Sequence, residues 1–102
     1  MRWTLLFVST VLILLIPGCK LPVASFVFSP DPVEVGDTVY FQSTSQNAIS
    51  FDWDFGDGSG STGENHTHIY QTEGDFSVAL VAYNQNGSDK TTNTVSVIQS
   101  SP

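Results

Sequence analysis

The chain has 102 residues, 40% of them hydrophobic, with a formal net charge of −7 at pH 7 and a single cysteine. That length allows one small domain, and the acidic balance speaks against a nucleic-acid binder, which needs Lys and Arg to neutralise phosphates. It equally speaks against a peripheral protein held on anionic lipid by its own surface charge.

Residues 1–19 are unlike the remainder. They carry one charge, Arg2, and then an apolar run from Leu5 to Ile16 relieved only by Ser9 and Thr10. A basic start, an apolar middle and a small-residue end are the three parts of an export signal. The run is shorter than the roughly 20 residues that a spanning helix needs. Cys19, as the only cysteine, has no partner for an internal disulfide. Ile16-Pro17-Gly18-Cys19 resembles the lipobox of bacterial lipoproteins, with Pro17 departing from the usual residue type. The resemblance implies a diacylglycerol thioether on Cys19, cleavage before it, and acylation of the new amino terminus. Stable lipid anchoring takes two or more chains, which that modification would supply. The implied location is a bacterial cell envelope, and Lys20 after the cysteine implies the outer membrane if the host is Gram-negative. The alternatives are an uncleaved signal anchor from Trp3 to about Gly18, or plain secretion.

All ten carboxylates follow Cys19, against only Lys20 and Lys90. Leu21-Pro22 reads as a brief tether. Ala24 to Phe28 alternates as a first strand with Phe26 and Phe28 on one face, and Ser29-Pro30-Asp31-Pro32 stops it because proline donates no ladder hydrogen bond. Val33 to Asp37 leads into a second strand, Thr38 to Ser43, with Val39 and Phe41 inward and Thr38, Tyr40 and Gln42 outward. Ser43 to Ala48 is loop-like, and Ile49 to Phe55 is a strand. Gly56 to Asn65, without an apolar residue, is expected to be a mobile loop. His66 to Tyr70 alternates again, and Glu73-Gly74-Asp75 has the composition of a hairpin turn. Phe76 to Tyr83 is the longest strand, apolar on both faces and therefore central in its sheet. Asn86-Gly87 is the hairpin dipeptide that follows. Asp89 to Gln99 closes the pattern with Val95 and Val97 as core. About seven short strands and no helical spacing make an all-β antiparallel sandwich.

Phe51 to Gly58 organises this array. Phe51, Trp53 and Phe55 share one strand face, where each ring can bury roughly 150–250 Å². Asp52 and Asp54 point the other way, and Gly56-Asp57-Gly58 supplies a tight turn. Four pieces, in order, resemble one family: Val35 to Phe41; Trp53-Asp54-Phe55-Gly56-Asp57-Gly58; His68-Ile69-Tyr70 with Gly74 to Leu80; and the turn Asn84 to Gly87. This is similar to the PKD domain, an immunoglobulin-like β-sandwich, over roughly Val23 to Ile98. The resemblance implies two sheets, about seven strands, and a role as an interaction, adhesion or spacer module on cell surfaces and in secreted bacterial hydrolases. Trp53, Asp54, Phe55, Gly56, Asp57, Gly58, His68, Tyr70 and Gly74 match its structural signature.

Chemistry-bearing residues weigh little beside that reading. His66 and His68 share a strand face but lack a third strong ligand at short spacing. A calcium loop started at Asp52 places Asp57 where glycine is required and Gly63 where the bidentate glutamate belongs. No serine sits in a Gly-x-Ser-x-Gly elbow. No catalytic residue, metal or cofactor is therefore expected. Flanked at strand spacing by Phe51 and Phe55, Trp53 is core; outward-facing Tyr40 and Tyr83 are the candidate binding residues.

The expected organisation is a leader over 1–18, lipidated Cys19 and a tether over 19–22, a sandwich over 23–98 and a tail over 99–102. The expected function is a non-catalytic envelope lipoprotein, held to the membrane through lipid on Cys19 and presenting one domain to a protein or polysaccharide. The alternatives are a spacer without a ligand and an accessory to a separately encoded hydrolase.

Overall fold

A computed structural model describes residues 20–100; the leader and the expected lipid site at Cys19 lie outside the described residues. Eight strands follow in order: β1 (Phe26–Ser29), β2 (Val33–Glu34), β3 (Thr38–Ser43), β4 (Ser50–Asp54), β5 (Gly60–Thr62), β6 (Asn65–Ile69), β7 (Gly74–Asn84) and β8 (Gly87–Ile98). They form two sheets, β1-β3-β6 and β2-β8-β7-β4-β5, and no helix occurs among the described residues. The chain is an all-β sandwich of the immunoglobulin-like kind.

Alternation sets the two layers together. In β3, Val39, Phe41 and Ser43 are buried while Thr38, Tyr40 and Gln42 are exposed. Val78, Leu80 and Ala82 of β7 face them from the larger sheet, joined by Val95 and Val97 of β8. Between the sheets lie Phe26, Phe41, Trp53, Phe55 and Tyr70, with Phe28, Phe51 and Phe76 packed around them. Large rings fill this core because a domain of about 80 residues has little interior to spend and no disulfide framework to reinforce it.

Several local expectations are corrected. The stretch 56–65 is not one loop, because Gly60–Thr62 pairs antiparallel with β4, Ser61 opposite Trp53. An edge strand needs only backbone donors and acceptors, so its lack of apolar side chains hides it. Val33–Glu34 does not simply lead into β3. It pairs in parallel with Val97 and Ile98 in the other sheet, the exception to the otherwise antiparallel ladders, and Val33 is fully buried there. Glu73-Gly74-Asp75 is not a hairpin, because β6 and β7 belong to different sheets; Gly74 opens β7 opposite Val97. At the β7–β8 hairpin the two loop residues are Gln85 and Asn86, with Asn84 paired to Gly87. The Asn84 side-chain oxygen accepts the N–H groups of Asn86 (2.7 Å) and Gly87 (3.1 Å), the local turn chemistry that shifts the loop by one residue.

Candidate functional site

The aromatic–acidic stretch sits where β4 turns into β5. The N–H of Phe55 donates to the Ser59 carbonyl at 3.0 Å, closing the turn. Asp54 Oδ1 accepts the N–H of Gly56 at 3.0 Å, and Asp57 Oδ1 accepts the N–H of Ser59 at 3.1 Å as well as its hydroxyl. Gly56 has φ +84°, and a Cβ there would lie 2.6 Å from the carbonyl oxygen of Ser77 on β7. Glycine is thus required twice over, for the left-handed backbone and for the close approach.

From this turn the rings run inward. Trp53 meets Phe26 edge-on at 5.1 Å, and its indole N–H donates to the Gly63 carbonyl at 2.8 Å. Phe55 stacks on the His68 ring at 4.4 Å and 8°. His68 meets Tyr70 edge-on at 4.7 Å, and Tyr70 stacks on Phe76 at 4.5 Å. The Tyr70 hydroxyl donates to the Phe55 carbonyl at 2.8 Å. Burial pushes the Tyr70 phenol well above its ordinary range, with the charges of Asp57 and Asp54 adding to the rise. Partial burial alone would raise the Asp57 carboxyl. Hydrogen bonds from the Ser59 and His68 side chains and from the Ser59 backbone, with the charge of His68, outweigh it and hold the group below the ordinary carboxylate range.

Ser59, His68 and Asp57 superficially assemble a hydrolytic triad, but their connectivity is wrong. His68 Nε2 lies 2.7 Å from Asp57 Oδ2 and 3.3 Å from Ser59 Oγ. A relay needs the carboxylate on one ring nitrogen and the nucleophile on the other. Here both use the same nitrogen, and the serine hydroxyl also donates to the aspartate. His66 Nδ1 lies 3.2 Å from Ser61 Oγ while its ring packs on Phe55. Among the described residues no group of three His, Cys, Asp or Glu side chains is set to hold one ion. These polar groups brace the turn.

The two outward tyrosines lie on different sheets and do not form one site. Tyr40 lines an open groove of about 600 Å³ with Gln42, Asn65, His66 and Thr67 on the small sheet. Tyr83 lines a groove of about 710 Å³ with Ile49, Phe51, Asp52, Thr62 and Glu64 along the β4–β5 side of the large sheet. There the Tyr83 hydroxyl donates to Asp52 Oδ2 at 2.9 Å. That hydrogen bond, then desolvation and the Asp52 charge, raises the phenol, so it stays a protonated donor. The groove therefore combines an oriented ring, apolar surface from Ile49 and half-buried Phe51, and two carboxylate acceptors. Sequence reasoning names none of Ile49, Asp52 and Glu64 as a recognition residue, and weighs Asp52 only as the start of a calcium loop. Asp52 could have been found from alternation, since it shares the outward face with Tyr83, but the diagonal contact needs the register that sets Ser50 opposite Tyr83.

Residues 19–98 match the family model of the PKD domain. The chain belongs to the PKD-domain family. Over 50 residues it is 44% identical to the collagenase ColQ1 of Bacillus cereus (strain Q1), a match covering 48% of this chain but only 5% of that enzyme. The PKD1 domain of the Vibrio cholerae metalloprotease PrtV superposes with a TM-score of 0.67 at 33% identity, covering 78% of this chain and 100% of that one. A structure described as the basis for promiscuous specificity of carbohydrate-binding modules from the β-sandwich superfamily superposes with a TM-score of 0.73 at 30% identity, covering 81% of this chain and 36% of that one. In this PKD domain the residues from Trp53 to Gly58, with His68 and Tyr70, form the braced turn and its ring stack, and none of them lines either groove.

Proposed function

We infer that the protein is a lipid-anchored protein of a bacterial cell envelope whose PKD domain presents the Tyr83 groove to a polysaccharide or protein ligand. The observation that carries this reading is the groove itself. Tyr83, oriented by Asp52, offers a ring face beside acceptors and a small aliphatic surface, the mixture of apolar area and a few placed polar groups that recognition sites use. Similarity to a carbohydrate-binding-module structure and to a PKD domain of a metalloprotease supports an interaction module. The Cys19 motif supports the anchor. The partial match to a collagenase favours, as a second reading, an accessory to a separately encoded hydrolase acting on the same polymer.

The test is co-sedimentation of the full chain, extracted from membranes, with a panel of insoluble polysaccharides and fibrillar collagen. Tyr83→Ala is expected to weaken capture of one of them at least tenfold, Tyr40→Ala to leave it unchanged, and both variants to keep the parent's circular dichroism. Capture lost only with Tyr40→Ala would move the site to the small sheet. A chain that sediments with none of the polymers would make the spacer the better reading.

A further inference from the structure

The chain enters the domain at one end and is fastened there. The Lys20 carbonyl accepts hydrogen bonds from the side-chain amides of Asn84 (2.8 Å) and Asn86 (3.0 Å). The same Asn84 amide donates to the Asn47 carbonyl at 2.7 Å, and the Asn47 amide reaches the Leu21 carbonyl at 3.5 Å. Two residues on, Val23 and Gln46 exchange N–H···O bonds of 2.9 Å. The brief tether is therefore bound to the β7–β8 turn and to the loop before β4.

That end has a distinct surface. Ile49 is 78% exposed, Leu21 61% and Val23 51%, none of which a soluble surface needs. Both lysines belong to this half, Lys20 at the entry and Lys90 opposite Val81. Two of its three carboxylates are engaged, Asp89 with the N–H of Ala24 at 2.7 Å and Asp52 with the Tyr83 hydroxyl, while Glu64 stays exposed beside the groove. Asp31, Glu34, Asp37, Glu73 and Asp75 lie toward the opposite end, where β2 meets the end of β8 and Gly74 opens β7.

We propose that this end of the domain seats on a lipid bilayer, with Ile49, Leu21 and Val23 in the interfacial layer and the acidic end directed away. The proposal rests on the anchored reading above. Cys19 immediately precedes the fastened Lys20, and the apolar run ends at Ile16. Four residues extend to at most about 14 Å, so acylated cysteine and signal anchor alike hold this end at the surface. Aliphatic side chains enter the headgroup boundary, lysines are drawn to anionic headgroups and carboxylates are repelled by them. The net charge, which opposes adsorption of the free domain, thus orients one already anchored. Because Ile49 also lines the Tyr83 groove, that groove opens beside the bilayer and takes ligands lying along the membrane.

The experiment places a nitrobenzoxadiazole dye at Ile49→Cys or Thr72→Cys in the full chain. The proteins are reconstituted into phosphatidylethanolamine–phosphatidylglycerol vesicles carrying a headgroup-proximal nitroxide lipid. The parent chain, with acylated Cys19, is the unlabelled blank. Both positions are exposed, so neither variant threatens the fold. The dye at position 49 is expected to be quenched several-fold more than at position 72 and to emit to the blue of it. Equal, water-like quenching at both positions in vesicle-bound protein overturns the orientation and leaves the anchor standing. A chain absent from the vesicle fraction overturns the anchor, and the orientation falls with it.

Discussion

The Tyr70 hydroxyl donates a 2.8 Å hydrogen bond to the carbonyl of Phe55, tying the end of β6 in one sheet to the turn that closes β4 in the other. Both residues are essentially inaccessible to solvent, so the carbonyl has no water to fall back on if the phenol is removed. Tyr70→Phe keeps the ring and its stack on Phe76 but strands that acceptor. The expected loss is about 1–3 kcal/mol, the cost of an unsatisfied buried polar group, read as a lower urea midpoint at unchanged slope.

The same residue governs alkaline stability. Burial raises the folded phenol well above the unfolded value of about 10. The neutral form is favoured in the fold, so the stabilisation is fully present below about pH 10 and declines as pH rises further, because the unfolded state ionises first. Melting temperature should therefore fall above pH 10 in the parent, and less steeply in Tyr70→Phe. Parallel curves would show that Tyr70 does not carry the alkaline limb.

Asp57 works at the other extreme. Its folded pKa is depressed, so its contribution is present above the unfolded value of about 3.9 and is lost as pH falls through the folded one. Asp57→Asn should lower stability near neutral pH and flatten the acid limb below pH 4. Denaturation series at pH 7 and pH 3 decide it: the gap between parent and variant should shrink at the lower pH.

Much of this arrangement is legible in the chain itself, and the exceptions have physical reasons. Thr38 to Ser43 and Phe76 to Tyr83 declare their inward faces because burial on one side of a strand forces a period of two. Gly60–Thr62 is silent because an exposed edge strand is held by backbone bonds to Asp52–Asp54. Val33–Glu34 is too short to show a period, and its parallel partner lies far along the chain at Val97 and Ile98. Tyr40 and Tyr83 are recognisable as outward-facing, but their separation onto two sheets follows from strand order rather than local pattern. The fastening of Lys20 by Asn84 links positions 64 residues apart, with no periodic signal to announce it.

Trp53 tests the core. It packs on Phe26, Phe41 and Phe55 and gives its N–H to Gly63. Trp53→Ala is expected to cost about 3–5 kcal/mol, enough to unfold a small domain. A folded Trp53→Ala that merely lost ligand binding would refute the core assignment.

The two glycines of the turn should differ in their response to a methyl group. Both Gly56 (φ +84°) and Gly58 (φ +93°) occupy the left-handed region, where an L-residue costs roughly 1–2 kcal/mol. At Gly58 nothing lies within 4 Å of the new Cβ, so Gly58→Ala should cost only that backbone term. At Gly56 the Cβ would stand 2.6 Å from the carbonyl oxygen of Ser77. That oxygen belongs to the backbone of β7, so relief requires moving the central strand off the turn. Gly56→Ala should therefore lose clearly more stability than Gly58→Ala in parallel urea titrations. Equal losses would mean that the turn can lift away from β7 freely, and that its contact with the central strand does not anchor it.

The expected leader offers a separate test that folding cannot confound. If Cys19 is acylated, protein extracted from the membrane fraction should have an intact mass that begins at Cys19 and exceeds the polypeptide by its acyl chains. Cys19→Ser should lose that increment while retaining the folded domain, since Lys20 is the first of the described residues and is itself fastened to the domain. A membrane-bound chain with an unmodified mass beginning at Met1 would establish a signal anchor instead. A soluble chain cut at another site would detach the PKD domain from the membrane and make it a secreted binding module.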